Sequence, residues 1–276
     1  MAISDVPLIR LNDGNSIPQL GLGVYKVEDD EAERTVATAL EAGYRHLDTA
    51  EYYGNERGVG RAMRSSGIPR DDVYVTTKVW NDQQGYDSTL RSFDQSLEKL
   101  GVDVVDLYLI HWPAPKQDLY VETYRALEKI RQEGRARSIG VSNFQTHHLE
   151  RLLGETDVVP VLNQVEVHPW MQQKELRAFT DARRIVTEAW SPLARGKVLD
   201  DPTLARLATR HGVSPAQIVI RWHVQTGLVV IPKSVTPSRI VENFDVFGFE
   251  LDDSDLAAID ALDSGERVGS HPDQVD

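Results

Sequence analysis

Several short apolar runs of this chain end on a reactive or hydrogen-bonding side chain: Asp48, Lys78, His111, the pair Ser142-Asn143, Gln164, Trp190 and Lys233. Tyr53 follows Asp48 by five residues. A carboxylate, an ammonium, an imidazole and a phenol together can hold a proton, tune it and deliver it to an oxygen on which charge develops. The chain has no cysteine, which excludes thiolate catalysis, disulfides and cysteine-based metal sites. Any one of these residues alone is more often structural, and Tyr53 is the least distinctive, one of nine tyrosines with Tyr52 beside it. Their shared position at the ends of runs is what singles them out.

The elements that must position them read as one repeated unit. From Asp29 to Gly43 the chain starts with acids, places Val36, Ala39 and Leu40 at helical spacing, and ends at a glycine suited to a left-handed cap. Tyr44 to Asp48 then reads as a strand, followed by a polar loop and a helix from Asn55 to Ser66. The order recurs with strands at 73–78, 104–111, 136–141, 161–165, 185–188 and 228–231, each followed by a helix-compatible segment, while Gly21 to Gly23 forms a short first strand. Eight short apolar strands alternating with helices predict a parallel sheet buried on both faces and closed on itself. The predicted fold is α/β, a (β/α)8 TIM barrel. Residues 8–18, with Asn12-Asp13-Gly14-Asn15 at their centre, predict a hairpin that closes the bottom of the barrel. No linker or composition shift divides the chain, so residues 1–276 are expected to form a single domain. In such a barrel the strands' carboxyl ends share one rim, which brings the polar residues together.

Bulk properties narrow the ligand. The 276 residues are 41% hydrophobic and 26% charged, ordinary for a globular protein, and a formal charge of −13 repels nucleic acid and anionic membranes. Met1 to Leu11 carries Asp5 and Arg10 and no apolar core of a signal peptide, and no later run reaches spanning length. A cytoplasmic monomer acting on a small molecule, without nucleic-acid or membrane partners, is the expectation.

The chain resembles the aldo-keto reductases. The likeness runs through Gly43 to Ala50, Tyr53-Gly54-Asn55-Glu56, Leu107 to Pro113, Ser138 to Phe144, Asn163 to Pro169 and Ile231 to Val235. Residues 11–21 and 271–276 are most similar to the prokaryotic 2,5-diketo-D-gluconic acid reductase branch. The resemblance implies NADPH-dependent reduction of aldehydes and ketones to alcohols, among them dicarbonyls, keto-sugars such as 2,5-diketo-D-gluconate and methylglyoxal-like compounds. It implies a tetrad of Tyr53, Asp48, Lys78 and His111. Tyr53 gives the proton, and its ordinary pKa near 10 calls for a cation to stabilise the phenolate. Lys78 is that cation, Asp48 keeps it charged, and neutral His111 donates to the substrate oxygen and aligns the carbonyl.

Neither a G-x-G-x-x-G fingerprint nor a P-loop is present, and Gly58-Val59-Gly60 reads as helical, which disfavours a doubly wound nucleotide fold; the same resemblance implies the cofactor, NADPH/NADP+, and its contacts. Ser142, Asn143 and Gln164 would hold the nicotinamide carboxamide, and Trp190, where many relatives carry tyrosine, would stack on the ring. Ser191 and Leu193 follow it. Lys233, Ser234, Val235 and Arg239 surround Thr236-Pro237, an expected N-cap and first helical position that favours a 2′-phosphate, and Glu242 and Asn243 would meet the adenine. Tyr25, Trp80, His111 and Trp112 would wall the substrate pocket. No metal is expected: His168 belongs to the family's Val-His-Pro stretch and His147-His148 begin a helix. Two rivals remain at this point, a glycosidase-like barrel pairing Asp48 with Glu51 or Glu188, and a cofactor-binding sensor barrel with little turnover.

Overall fold

The computed structural model describes residues 6–276. Residues 1–5, on which part of the expected lack of a signal peptide falls, lie outside the described residues. Strands β1 (Leu8–Arg10) and β2 (Ser16–Pro18) pair antiparallel with Ile9 opposite Ile17. Gly14, at φ +92°, makes the turn between them, a conformation that glycine adopts without steric cost. Leu11 and Ile17 of this hairpin are buried against Leu107, Leu109, Leu162 and Val229, so it seals the barrel from below as expected. Asn12 and Asn15 fix it by donating to the carbonyls of Pro160, Arg184 and Arg137.

The barrel strands are β3 (Leu22–Gly23), β4 (His46–Asp48), β5 (Tyr74–Val79), β6 (Val105–Ile110), β7 (Ala136–Ser142), β8 (Leu162–Glu166), β9 (Val186–Trp190) and β10 (Val229–Val230). They pair in parallel in that order. The bridge between Leu20 and Val230, with Gly21 N–H donating to Val230 and Val230 N–H to Gln19, closes the ring. Around it lie α1 (Asp29–Ala42), α2 (Glu56–Ser65), α3 (Tyr86–Leu100), α4 (Tyr120–Gln132), α5 (Thr146–Glu155), α6 (Lys174–Asp181), α7 (Pro202–His211), α8 (Pro215–Gln225), α9 (Pro237–Phe244) and α10 (Asp253–Asp260).

Local chemistry explains the boundaries. Three acids open α1, favourable at the positive end of the helix dipole, and Gly43 at φ +112° ends it. Gly58-Val59-Gly60 lies inside α2, as the sequence predicts. A Cβ on Gly58 would sit 2.0 Å from the carbonyl oxygen of Asp29, so that glycine lets α2 press on the start of α1. No helix among the described residues is long and apolar enough to cross a membrane.

Candidate active site

Most of the predicted site residues meet at the carboxyl rim of the barrel, around a cavity of about 810 Å³. Asp48 ends β4, Ser142 ends β7 and Trp190 ends β9, while His111 follows β6 directly. Gln164 departs from the expected placement. It sits in the middle of β8, whose last residue is Glu166, so its side chain reaches the cavity from below the rim. Lys78 and Val235 do not line the cavity; Lys78 is wholly buried beneath it.

Burial sets the electrostatics. Nζ of Lys78 donates to both carboxylate oxygens of Asp48, at 2.7 and 2.8 Å, and to the carbonyl of Thr49 at 2.9 Å. Its three protons are thereby used, and it faces the Tyr53 ring as a charge 5.3 Å from the centroid. The sequence reading expects this cation to favour the phenolate; in this structure burial, with Asp48 next, instead pushes the Tyr53 hydroxyl well above its ordinary value. The reason is geometric: the hydroxyl is taken out of water, and the carboxylate that neutralises Lys78 also faces the phenol. Burial, and then Lys78, push His111 well below the usual imidazole range, so the ring is neutral. Its Nε2 lies 3.5 Å from the Tyr53 hydroxyl.

Geometry also separates the two adjacent tyrosines. Tyr52 stacks on Trp80 at 3.7 Å between ring centroids and stays half exposed, whereas Tyr53 turns its hydroxyl to His111. Glu51, considered as a rival's acid, instead accepts from Trp80 N–H and the Ser92 hydroxyl. Glu188, the other candidate acid, is fully buried and cannot touch a substrate.

The residues assigned to the nicotinamide end already form a hydrogen-bonded set. The Ser142 hydroxyl donates to the Gln164 carbonyl. Asn143 donates to the His111 carbonyl and accepts from the Trp190 indole at 2.8 Å. Gln164 spends its amide protons on Asp48 and Glu188, at 2.7 and 2.8 Å, and among the described residues nothing donates to its amide oxygen. That oxygen is a preformed acceptor for a carboxamide N–H, a fit to the expected ring. At the other end Lys233 and Arg239 are exposed, pair with no carboxylate among the described residues, and flank the start of α9, a donor set that suits a phosphate. Pro237 is the first residue of that helix, but the Thr236 side chain makes no capping bond; its N–H donates to the Ser234 hydroxyl instead. Ser191, Leu193, Glu242 and Asn243 line the same cavity, as do Tyr25, Trp80 and Trp112.

Several lining residues were not read from the sequence. Ser214, Pro215 and Ala216 open α8, where Ser214 and Gln217 make a reciprocal capping box. The Ser-Pro pair repeats the Thr236-Pro237 pattern and was the available signal. Lys26, Asn143, Ser191 and Arg195 hold positive φ values between 47° and 65° at the cavity edge, strain that sequence does not display. Gly269, Ser270 and Val275 come from the tail. That tail is tied down where Glu166 accepts from the N–H groups of Val268 and Gly269 and where Asp276 pairs with Lys116. Asp273 also meets His147 and His148 within 3.4 Å. Nδ1 of His148 accepts from Gln145 N–H, part of the capping box that opens α5.

The sequence profile of the Aldo/keto reductase family matches residues 18–264. An "Aldo-keto reductase" of Mycolicibacterium smegmatis is 54% identical over 96% of this chain and 97% of its own length. The methylglyoxal reductase DkgA of Escherichia coli is 51% identical over 97% of each chain. Among solved structures, a Gox0644 mutant in complex with NADPH superposes with a TM-score of 0.95 at 48% identity, covering 99% of this chain and 100% of the other.

Proposed function

The chain belongs to the aldo/keto reductase family, and from that premise we propose that it reduces small aldehydes and ketones with NADPH, Tyr53 supplying the proton. The observation that carries the reading is the Tyr53 hydroxyl beside neutral His111, at the cavity floor above the buried Lys78–Asp48 pair. A relative named for methylglyoxal and a neighbour bound to NADPH support the substrate class and the cofactor. When bound, NADPH supplies a hydride to the carbonyl carbon. The residues of this chain do the rest. His111 donates to the carbonyl oxygen and fixes its direction. As negative charge grows on that oxygen, the Tyr53 hydroxyl gives it a proton, so aldehyde plus hydride plus proton becomes alcohol. Lys78 opposes the charge left on the phenol, and Asp48 keeps Lys78 ionised while buried.

Ser142, Asn143 and Gln164 would hold the carboxamide and Trp190 the ring, with Ser191 and Leu193 beyond it. Lys233, Ser234, Val235 and Arg239 would take the 2′-phosphate, and Glu242 and Asn243 the adenine. Tyr25, Trp80, His111 and Trp112 would wall a pocket for methylglyoxal-like dicarbonyls and keto-sugars. The test is loss of the near-ultraviolet absorbance of NADPH with methylglyoxal, aromatic aldehydes, diketones and keto-sugars. Tyr53→Phe is expected to lower turnover at least about 100-fold, the contribution of a positioned general acid, while NADPH still binds. Undiminished turnover in that variant defeats the proton assignment.

A further inference from the structure

Under the rim, two buried polar atoms face one another with no bond between them. Nδ1 of His46 lies 3.2 Å from the carbonyl oxygen of Pro18, which can only accept, so the ring proton is on Nδ1. The ring cannot move away easily, because Gly21 leaves the space it fills: a Cβ there would meet the imidazole at 2.5 Å. His46 is wholly buried, and burial lowers its pKa to about 3, so the ring is neutral and Nε2 is a bare lone pair. Oε1 of Glu188 lies 3.5 Å from that nitrogen, and neither atom has a hydrogen-bond partner. Two lone pairs repel; a proton between them makes an O–H···N bond. Oε2 of Glu188 meanwhile accepts from Gln164, whose second amide proton goes to Asp48.

Resting on the function proposed above, we propose that Glu188 is a positioning residue that stands protonated. Its O–H donates to His46 and its second oxygen holds Gln164, so that the Gln164 oxygen faces the nicotinamide site and Asp48 remains the sole counter-charge of Lys78. The titratable groups around it agree with one proton held there. His46 and Asp48 lie on β4, Lys78 and Tyr74 on β5, and Tyr53 in the loop after β4, while neighbouring β10 offers only Val229 and Val230. A second buried carboxylate would oppose Asp48 and divide Lys78 between two anions. Consistent with this, burial, with Asp48 next, raises Glu188 to about 8.

Glu188→Gln keeps an N–H donor for His46 and an acceptor for Gln164 without an ionisable group, whereas Glu188→Ala removes both. In the infrared spectrum of the unliganded protein at neutral pH, wild type is expected to show the carbonyl stretch of a protonated carboxylic acid that Glu188→Gln lacks. Nitrogen-15 spectra should show His46 protonated on Nδ1 alone. In NADPH titrations followed by tryptophan fluorescence, Glu188→Gln should bind within about twofold of wild type and Glu188→Ala about tenfold more weakly, the upper end of what one hydrogen bond is worth. Turnover of wild type should fall as pH rises through about 8 more steeply than that of Glu188→Gln. No protonated-acid band, a doubly protonated His46, or equal damage in both variants overturns the proposal. Should Tyr53→Phe stay active, the proton assignment fails while the infrared band remains, so the two readings fall separately.

Discussion

Replacing Glu188 with glutamine should change how stability depends on pH, and the size of the change follows from where the acid sits. In the unfolded chain the acid ionises near 4.5, and in the folded protein near 8, because burial and Asp48 penalise its charged form. A folded-state pKa raised in this way contributes stability that is complete below the unfolded value and is lost as pH rises through the folded one. Between those limits the unfolded chain releases a proton that the fold retains. Each pH unit then costs about 1.4 kcal/mol, so wild type should lose about 4 kcal/mol from this group between pH 5 and pH 8. Glutamine has no such term. Urea unfolding of both proteins at several pH values, with the slopes compared to check that the same surface is exposed, gives the difference directly. The variant should gain on wild type steadily as pH rises. A difference that stays flat from pH 5 to pH 8 would refute the reasoning, since it means that folding does not shift this acid.

Other outcomes test other parts. Asp48→Asn leaves Lys78 fully buried without its counter-charge, which should cost about 3–5 kcal/mol in urea unfolding. Arg239→Ala should weaken NADPH by about 10- to 100-fold, the worth of one hydrogen bond to a charged group, and NADH far less, because only NADPH carries the 2′-phosphate; equal weakening in fluorescence titrations would contradict the assignment. Gly58→Ala should destabilise by about 1–3 kcal/mol through the clash with the Asp29 carbonyl, whereas Gly154→Ala, within α5 and with nothing near its Cβ, should be neutral or gain up to about 1 kcal/mol. Thermal or urea midpoints separate the two.

The alternation of strands and helices was legible because parallel strands buried on both faces are short continuous apolar runs, and the helices between them carry acids and glycines at their ends. So was the rim, since each run stops where its chemistry begins. Depth along a strand was not. Gln164 and Glu188 lie below the rim, and two-residue alternation tells inside from outside but not floor from mouth. Glu188 therefore read as a rival's catalytic acid, when its burial removes it from any substrate. The direction of the Tyr53 shift was also hidden, because it is set first by how deeply the fold buries the hydroxyl and then by the nearness of Asp48, neither of which spacing along the chain displays. The tail was invisible for a different reason: its ties to Glu166, His148 and Lys116 join residues more than 100 apart in sequence.

The cluster of Asp48, Lys78, Gln164 and Glu188 spans four of the eight strands, with Gln164 directly opposite Glu188 and Asp48 opposite Thr76. Apolar strands coated on both faces have little to stop them sliding, since valine and leucine pack almost as well one position along. A slip of one residue turns every side chain to the other face. Here it would drive a lysine and two acids out among the helices, each without its partner. The polar floor thus works as a key cut into an otherwise featureless lock: only one alignment of the staves brings opposite charges together. A barrel assembled wrongly would also lose the Lys78–Asp48 pair beneath Tyr53, so the contacts that set the register are the same ones on which the proposed chemistry depends.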